Sequence, residues 1–447
     1  MRNITGSRRT FLAAMSASSY QRVLGANERI RIGFVGYGLI GKQHVGDFRK
    51  MPDVDCTALC EVCRPRLDEG LAHCGPGAKG YADFRKMYED KNLDAVVIST
   101  PDHWHALQTI LACAAGKDVY VEKPLTLFVR EGRWMVTAVR RYRRMVVVGT
   151  QRRHGAAVRA AREYVAGGTL GRIHTVRAAS CRNVYPGFGK TAVAEPPPGL
   201  DYDLWLGPAP EKPYTAHRSL YHFRWFWDYS GGQMTNLGAH ALDLIHAIMS
   251  VNAPTQVFSN GGRVCLEDDG ETPDLQDALF TYPGFTCLYT IREANARSDL
   301  RGITFYGTKG SLVLGRGVEV IPEMRGDPLN QIPRFLGHPP GGVTYSDTKP
   351  EPYMQPAKSA EPSGDTLMLN KRDWLNSIRS RKLPVCDVEE GHRVATATHL
   401  ANISMRLGRS LRWDPQNEDI LGDRKASALL ERPYRGPWDE VLRSLKL

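Results

Sequence analysis

The stretch RIRIGFVGYGLIG, residues 29–41, decides the fold of the amino-terminal half of the chain. It begins with a run of β-forming residues and continues into Gly36, Gly38 and Gly41, spaced as G-x-G-x-x-G. Apolar residues with helical spacing follow. The glycine pattern alone is weak evidence, but between a strand and a helix it is typical of a dinucleotide-binding βαβ unit.

Each glycine of this loop has its own expected role. Gly36 permits the tight turn, Gly38 lets the backbone approach a pyrophosphate, and Gly41 lets the helix pack closely on the strand. The amino terminus of the helix would offer N–H groups to the phosphates. We therefore expect the whole loop to contact the cofactor: Gly36, Tyr37, Gly38, Leu39, Ile40 and Gly41.

An acidic residue follows the second predicted strand, residues 54–60. Glu61 lies 25 residues after Gly36, near the usual place of a ribose-binding carboxylate. Such a carboxylate repels a 2′-phosphate by about 4 kcal/mol for unit charges 4 Å apart at an effective dielectric of 20. The sequence therefore favours NAD over NADP, although Arg64 is close enough in sequence to reach a 2′-phosphate.

Three further strand-like runs, residues 95–99, 118–121 and 145–149, alternate with helical patterns. This alternation predicts a parallel, doubly wound α/β sheet, whose ligands lie beyond the carboxyl ends of the strands. Polar and aromatic residues follow each run. We expect the cofactor contacts there to come from Thr100, Pro101, Asp102, Trp104, His105, Glu122, Lys123 and Gln151.

With these motifs the sequence resembles the Gfo/Idh/MocA family, the relatives of glucose–fructose oxidoreductase and inositol dehydrogenase. The resemblance spans roughly residues 29–438 and includes the glycine loop, TPDHWH at 100–105 and EKP at 122–124. Three other stretches are similar to a branch rich in Tat-exported bacterial members. They are LDYDLWLGPAP at 200–210, WDYSGG at 227–232 and NIS-x-R at 402–406. The motifs are specific for the family and not for a substrate.

Beyond Gln151 the strands are no longer separated by helices, which predicts a mostly antiparallel sheet in an α+β domain. Pro283 and Gly284 mark a hairpin. The resemblance implies an open sheet with one face over the nicotinamide. The predicted strands are residues 172–180, 255–265, 276–283, 285–292, 301–306 and 311–314.

Nine prolines in residues 322–362 predict a long irregular wrap or lid. Helical patterns resume at 366–379 and 388–407, and we expect them to return to the first domain. The chain then divides into four parts. These are an export segment (1–26), an NAD-binding Rossmann domain (27–150), a substrate and dimerisation domain (151–365) and carboxyl-terminal helices (366–447).

Lys123 is the first candidate catalytic residue. The resemblance assigns its matching lysine a role in binding the substrate hydroxyl and transferring its proton. Hydride transfer from an alcohol carbon requires such a positioned base, and burial beside a cationic nicotinamide would lower the pKa of Lys123. The alternative is a surface lysine after a strand.

His240 is the second candidate catalytic residue. The family often has Asp-x-x-x-His here on one helix face, and Asn236 stands in place of the aspartate. An amide binds a hydroxyl but cannot act as a base, so proton transfer falls to Lys123 and His240. The alternative for His240 is a satisfied helix histidine. The predicted substrate-binding residues are Arg152, Arg224, Tyr229, Asn236 and His240.

Two patterns raise the question of a metal. His240, Asp243 and His246 share a helical spacing, but one helix leaves the remaining ligands unspecified. Cys60-x-x-Cys63 has no later partner motif among the nine cysteines, so buried free thiols are favoured over a metal or redox site. We predict no metal.

The amino terminus, SRRTFL at residues 7–12, resembles a twin-arginine export signal, with a disordered basic arm as the alternative. It predicts transport by the Tat translocase to the periplasm; without a signal the protein would be cytoplasmic. The net charge of +11 falls to +7 without residues 1–26, which hold four basic and no acidic residues. The basic run from Arg140 to Arg144 is better interpreted as the end of a helix, where cations favour the dipole. Outside it, no dense basic and aromatic block indicates nucleic-acid binding, and no long apolar run indicates membrane insertion.

The sequence thus predicts an exported oxidoreductase with tightly bound NAD, acting on a secondary hydroxyl of a sugar, glycoside or polyol. One alternative is a redox-neutral, NAD-dependent glycosidase or lyase that passes through a 3-keto sugar. Another is a non-catalytic sugar-binding protein on the same fold. The resemblance also implies a homo-oligomer.

Overall fold

The computed structural model describes residues 29–300, 302–325, 351–359 and 364–446. The predicted export segment, residues 1–26, lies outside them. So do residues 326–350 and 360–363 of the predicted proline-rich wrap.

A parallel sheet of six strands, in the order β3-β2-β1-β4-β5-β6, organises the first part of the described chain. Helices cover both faces, so β4, β5 and β6 are buried along their whole length. The strands are β1 (Ile30–Val35), β2 (Val54–Cys60), β3 (Lys79–Tyr81), β4 (Ala95–Ile98), β5 (Asp118–Val121) and β6 (Val146–Val148). The helices are α1 (Leu39–Phe48), α2 (Arg64–Cys74), α3 (Phe84–Tyr88), α4 (Asp102–Ala114) and α5 (Val129–Arg141).

A second sheet has ten strands among the described residues, in the order β14-β13-β12-β11-β7-β10-β9-β8-β15-β16. All neighbours are antiparallel except β7 and β10. Its strands are β7 (Ile173–Cys181), β8 (Gln256–Gly262), β9 (Leu275–Tyr282), β10 (Phe285–Arg292), β11 (Ile303–Gly307), β12 (Gly310–Leu314), β13 (Val318–Pro322), β14 (Ala357–Ser359), β15 (Leu411–Asp414) and β16 (Asp419–Ile420). The remaining helices are α6 (Ala156–Ala166), α7 (Tyr202–Leu206), α8 (Gly232–Asn236), α9 (Gly238–Met249), α10 (Thr366–Ser380), α11 (Val388–Leu407), α12 (Arg424–Ser427) and α13 (Trp438–Ser444).

These two sheets confirm the predicted fold class: a doubly wound parallel sheet followed by an open, mostly antiparallel one. The hairpin at Pro283 and Gly284 is also present, because β9 and β10 pair from Tyr282 and Phe285 outward. The sequence patterns missed β3 and β13–β16, most of which are short. They also did not reveal the parallel β7–β10 pair, which joins strands far apart in sequence.

Helix α10 packs on the first sheet. Trp374 is fully buried and lies edge-on to Phe48, with ring centroids 5.8 Å apart. Asn370 donates hydrogen bonds to the Tyr120 hydroxyl and to the Val148 carbonyl. Helix α11 packs between α5 and β8 and so contacts both halves of the molecule.

Residues 199–201, named here the strap, cross from the second half of the chain to the end of β2. Leu200 forms an antiparallel bridge with Cys63. The Arg64 amide donates to the Gly199 carbonyl at 2.7 Å, and the Asp201 amide donates to the Val62 carbonyl at 2.9 Å. The strap therefore closes over the chain just after Glu61.

A search of the described residues finds no helix with the length and apolarity required to cross a membrane.

Candidate active site

A cleft containing about 1350 Å³ of space lies beyond the carboxyl ends of β1, β2, β4 and β5. One wall comes from the glycine loop and the strand ends. The other comes from α7, from residues 220–224 and from Asn236. Most of the predicted cofactor residues line it: Gly36, Gly38, Leu39, Ile40, Glu61, Thr100, Pro101, Asp102, Trp104, His105, Glu122, Lys123 and Gln151.

The three loop glycines have the geometry that the sequence predicts. Gly36 has φ +87°, and a side chain there would meet the Ser99 carbonyl. A Cβ on Gly41 would lie 2.3 Å from the Gly36 carbonyl oxygen, so only glycine lets α1 start this close to β1. Around Gly38, in contrast, a Cβ would meet no described residue other than its chain neighbours within 4 Å. No side chain of the described residues caps α1. The loop therefore leaves space and backbone N–H groups for a phosphate.

Tyr37 belongs to the loop but does not line the cleft with it. Its side chain is buried, and its hydroxyl lies 2.9 Å from His73 Nδ1. The contribution of Tyr37 to the loop is its backbone amide, which donates to Glu61 Oε2 at 2.7 Å.

Glu61 occupies the end of β2 in the cleft wall. Its Oε1 accepts from the Cys63 amide at 3.0 Å, so each oxygen accepts one backbone hydrogen bond. A carboxylate has about four lone-pair sites, which leaves acceptor capacity for ribose hydroxyls. Arg64 ion-pairs with Asp68, while Arg66 lines the cleft.

The motif after β4 forms the floor of the cleft. The Asp102 carboxylate is buried, accepts a hydrogen bond of 2.6 Å from the Ser230 hydroxyl, and has a raised pKa because of that burial. His105 links two motifs, because its ring nitrogens lie 2.8 Å from the Thr100 carbonyl and 2.6 Å from the Pro124 carbonyl.

Trp104 lines the cleft but is held mainly by packing. Its indole N–H donates to the Trp205 carbonyl at 3.1 Å, and its ring meets Trp438 edge-on at 4.8 Å. A Cβ on Gly207 would lie 2.0 Å from this ring. These contacts fix the indole as part of the cleft wall.

Glu122 is tied to α1 through a residue that the sequence patterns did not single out. Its Oε1 lies 2.9 Å from Nε2 of His44, which is fully buried, and its Oε2 accepts from the Lys123 amide at 3.1 Å. The imidazole and Lys123 lower the pKa of Glu122 against its desolvation. His44 lies eight residues after Gly36, and this spacing from the loop was the available signal.

Lys123 meets the second half of the chain in the cleft. Its Nζ donates to Asn236 Oδ1 at 2.8 Å and lies 3.4 Å from the Asn236 carbonyl oxygen. Burial lowers the pKa of Lys123, and the positive charges of Arg224 and Arg152 lower it further, against Glu122 and Asp102. The amine therefore loses its proton more readily than an exposed lysine does.

Asn236 and His240 do not lie on one continuous helix, which corrects the sequence prediction. Helix α8 ends at Asn236 and α9 starts at Gly238, with Leu237 between them. Asn236 lines the cleft, and its Nδ2 donates to Gln233 Oε1 at 3.0 Å.

His240 lies behind the Lys123–Asn236 pair and is 8% exposed. Burial and the charges of Lys123 and Arg152 hold its pKa well below the usual value, so the ring is neutral. Its Nδ1 has no hydrogen-bond partner in the part of the chain that the structure describes.

The two predicted arginines reach the site from different sides. Arg224 lines the cleft with Lys123. Arg152 follows Gln151, a cleft residue, but its side chain lines an adjoining cavity with Ser180 and Leu237.

Tyr229 is not a cleft residue, which corrects the prediction that it binds substrate. Its side chain is completely buried, with its ring 4.8 Å from Trp205 and 5.2 Å from His103. It packs beneath the cleft wall because the aromatic residues around it form a small separate core. Cleft residues that the patterns missed include Arg66, Asp83, Leu220, Tyr221 and Phe223.

Two of the side chains considered for a metal have other partners. Asp243 accepts from Arg153 at 2.7 Å, and His246 Nε2 lies 2.8 Å from the Tyr282 hydroxyl. Cys60 and Cys63 are free thiols, and burial raises the pKa of Cys60 well above its usual value. No metal-binding group of three or more His, Cys, Asp or Glu was found among the described residues.

Comparison with protein families identifies both halves of the chain. An oxidoreductase family model with an NAD-binding Rossmann fold matches residues 30–150. The model of that family's C-terminal alpha/beta domain matches residues 155–262 and 324–440. The chain belongs to the Gfo/Idh/MocA family. It is therefore an NAD-dependent oxidoreductase, and the non-catalytic alternative is set aside.

Individual family members are distant from this chain. Myo-inositol 2-dehydrogenase of Thermotoga maritima is 27% identical over 398 residues, which cover 88% of this chain and 100% of that protein. A glycosyl hydrolase family 109 protein of a Shewanella species is 31% identical over 141 residues, 29% of this chain and 31% of that protein.

A solved structure of similar fold is the WlbA dehydrogenase from Bordetella pertussis, in complex with NADH and UDP-GlcNAcA. The TM-score is 0.62 at 20% identity, with 86% of this chain and 99% of that chain covered. At this identity the likeness shows the fold.

The cleft fits the NAD that the family binds. The open space at Gly38 and the uncapped start of α1 suit the pyrophosphate. The spare acceptor sites of Glu61 suit the ribose of the adenosine.

Proposed function

We propose that the protein oxidises a secondary hydroxyl of a sugar, glycoside or polyol, with Lys123 as the proton acceptor. The observation that carries this proposal is the Lys123–Asn236 hydrogen bond, which lies in the same cleft as the glycine loop. NAD, when bound, accepts the hydride from the alcohol carbon.

The side chains around Lys123 have separate roles in this proposal. Lys123 accepts the hydroxyl proton as a neutral amine, and its lowered pKa makes that state accessible. Asn236 orients the amine through Oδ1 and cannot take the proton itself. His240 is neutral and buried, and its Nδ1 has no hydrogen-bond partner among the described residues. Because its pKa is held well below the usual value, the substrate proton goes to Lys123.

A panel of neutral sugars, polyols and sugar acids, with reduction of NAD followed at 340 nm, tests this function. We expect reduction with at least one member, and product analysis should show a ketone at a secondary position. Absence of reduction with every member that binds would contradict the proposal.

A redox-neutral reaction is the second candidate, favoured by the local similarity to the glycosyl hydrolase family 109 protein. In that cycle C3 of a glycoside is oxidised, C2 loses a proton, the C1 substituent leaves, water adds, and the ketone is reduced again. Release of nitrophenol from a nitrophenyl glycoside by the holoenzyme, with deuterium from D₂O appearing at C2, would support it. Release without deuterium at C2 would contradict it.

We also propose that the mature protein acts in the periplasm after Tat export. The support is the pair Arg8 and Arg9, followed by Phe11 and Leu12. Replacing both arginines by lysine should keep the protein in the cytoplasm, as measured by cell fractionation. Unchanged export of this variant would contradict the proposal.

Tight retention of the cofactor belongs to the same proposal, because a protein exported in its folded state needs NAD already bound. Unfolding the purified protein should release about one nucleotide per chain, measured by chromatography. A nucleotide-free preparation that is active only with added NAD would contradict it.

A homo-oligomer that uses the outer face of the second sheet is proposed as well. Phe258 and Leu279 face each other across β8 and β9, 45% and 42% exposed, and Leu279 pairs in turn with Leu288. Light scattering should give a multiple of the chain mass, and Leu279→Glu should reduce it.

A further inference from the structure

The guanidinium of Arg224 is held at the cleft with most of its donors unused. Its carbon lies 4.5 Å from the Phe223 ring centroid and 5.4 Å from that of Tyr221. Its one hydrogen bond to the described residues goes from Nη1 to the Tyr221 carbonyl at 3.0 Å. Stacking on rings fixes the plane of a guanidinium and leaves its edge for a planar or tetrahedral anion.

Arg152 is a second cation without an acidic partner near this end of the cleft. Across residues 29–300, 302–325, 351–359 and 364–446, no carboxylate forms an ion pair with Arg152 or Arg224. The next residue, Arg153, shows the contrast, because it pairs with Asp243 and Glu390.

The two acids at this end of the cleft already have partners. Glu122 is bonded to His44 and to the Lys123 amide. Asp102 accepts from Ser230, and its raised pKa makes it a weaker counter-charge. Neither carboxylate therefore satisfies the guanidinium edge of Arg224.

Buried polar groups without partners lie on the segment that carries Asn236. Gln233 is 1% exposed, and its Nε2 has no hydrogen-bond partner among the described residues, although its Oε1 is bonded to Asn236. His240 Nδ1 is likewise buried and unpaired there. Buried polar groups without partners are rare in folded proteins and point to a missing ligand or water.

We propose that the substrate is an acidic sugar, whose carboxylate or phosphate binds the edge of Arg224 with Arg152 as the more distant cation. This inference rests on the proposed function, because it assigns a substrate class to the same cleft. The anion would be held beside Lys123 while a neighbouring secondary hydroxyl reaches Nζ. Leu220 has φ +60°, an uncommon conformation for leucine that fixes the turn carrying Tyr221 and Arg224 into the cleft.

The test compares matched pairs of compounds on the holoenzyme: glucuronate with glucose, galacturonate with galactose, and glucose 6-phosphate as the phosphate arm. We expect kcat/KM for the acids to exceed that for the neutral sugars at least about tenfold, as charge-assisted hydrogen bonds allow. The acid with the higher kcat/KM, a uronate or glucose 6-phosphate, shows whether the site binds a carboxylate or a phosphate.

Arg224→Gln should lower kcat/KM for the acid by about 10- to 100-fold. It should lower kcat/KM for the neutral partner much less, through the loss of a charge that lowers the pKa of Lys123. Arg224→Lys should recover part of the loss, since it keeps the charge without the planar fork. Arg316→Gln, which removes an exposed arginine in the β12–β13 turn, is the matched control and should change neither value. Added salt should weaken the acid reaction of the unaltered protein more than the neutral one.

Equal turnover of acids and neutral sugars, with Arg224→Gln affecting both alike, would overturn the acidic-sugar inference and leave the oxidoreductase proposal intact. If no compound reduces NAD, the proposed function is wrong. The acidic-sugar inference is then tested separately, by the rise in the melting temperature of the holoenzyme on addition of each sugar. Stabilisation by glucuronate and not by glucose supports it, and equal effects of the two contradict it.

Discussion

The two walls of the cleft use different chemistry. The nucleotide wall is formed by the backbone of the glycine loop. Gly36, Gly38 and Gly41 contribute to it because they carry no side chain. The substrate wall is made of side chains, and Lys123 and Asn236 meet there from segments 113 residues apart. A backbone wall depends on local sequence and on positions without side chains, whereas a side-chain wall depends on long-range packing and on the charge of each group.

The largest effect is expected from Lys123→Ala. Loss of a positioned general base costs typically 10² to 10⁴ in kcat, while the glycine loop remains intact, so NAD binding should be kept. Steady-state kinetics and titration with NAD measure the two properties separately. Lys382→Ala, at an exposed position after α10, is the control. Full turnover by the Lys123 variant would contradict the assignment of Lys123 as the proton acceptor.

A matched pair of substitutions in the loop separates folding from binding. Gly41→Ala puts a methyl group 2.3 Å from the Gly36 carbonyl and should destabilise the protein by about 1–3 kcal/mol. Gly38→Ala enters open space and should leave the free energy of unfolding unchanged while weakening NAD binding by about tenfold or more. Denaturant unfolding and NAD titration distinguish them, and equal effects at both positions would contradict the assigned roles.

The pH dependence of the rate tests whether the substrate wall depends on the charge of Lys123. Burial lowers the pKa of Lys123, and oxidation needs the neutral amine, so the oxidation rate should rise with pH to a plateau. Its half-maximal point should lie at a lower pH than for an ordinary lysine. A carboxylate beside an amine raises its pKa by about 1–3 units. Asn236→Asp should therefore move the oxidation profile to higher pH by a similar amount and leave the reverse reaction active at neutral pH.

Rate profiles in both directions measure this shift. Asn260→Asp, on the exposed side of β8, adds the same charge elsewhere and should not move the profile. An unshifted profile for Asn236→Asp would show that Lys123 does not titrate in the rate-limiting step.

The smallest effect is expected at His44, a positioning residue that joins the two walls through Glu122. His44→Asn keeps a donor and should lower kcat by only a few fold, whereas His44→Ala leaves Glu122 without its side-chain partner and should lower kcat by about tenfold. The amount of NAD retained per chain should change little in either variant. If the two substitutions have the same effect, the hydrogen bond has no role beyond packing.

The sequence predicts the nucleotide wall better than the substrate wall for a physical reason. The positions of Gly36 and Glu61 follow from the turn and from the strand that each adjoins, so local patterns suffice. The prediction for Tyr229 is wrong because a tyrosine can either bind a substrate hydroxyl or pack in an aromatic core. Only the contact with Trp205, which the sequence does not show, decides between these two roles. The break at Leu237 is also hard to predict, because helices lie on both sides of it. Asn236 and Gly238 beside it, both poor helix formers, were the available signal.

The strap has a consequence for steady-state kinetics. Its hydrogen bonds to Val62 and Arg64 join the two halves of the chain beside the ribose site, and we expect a bound nucleotide to leave slowly because of them. For net oxidation, an enzyme that keeps its cofactor between half-reactions must return it to the oxidised form with a second substrate. We therefore expect parallel double-reciprocal plots when donor and acceptor are varied together, with the dinucleotide acting as a prosthetic group.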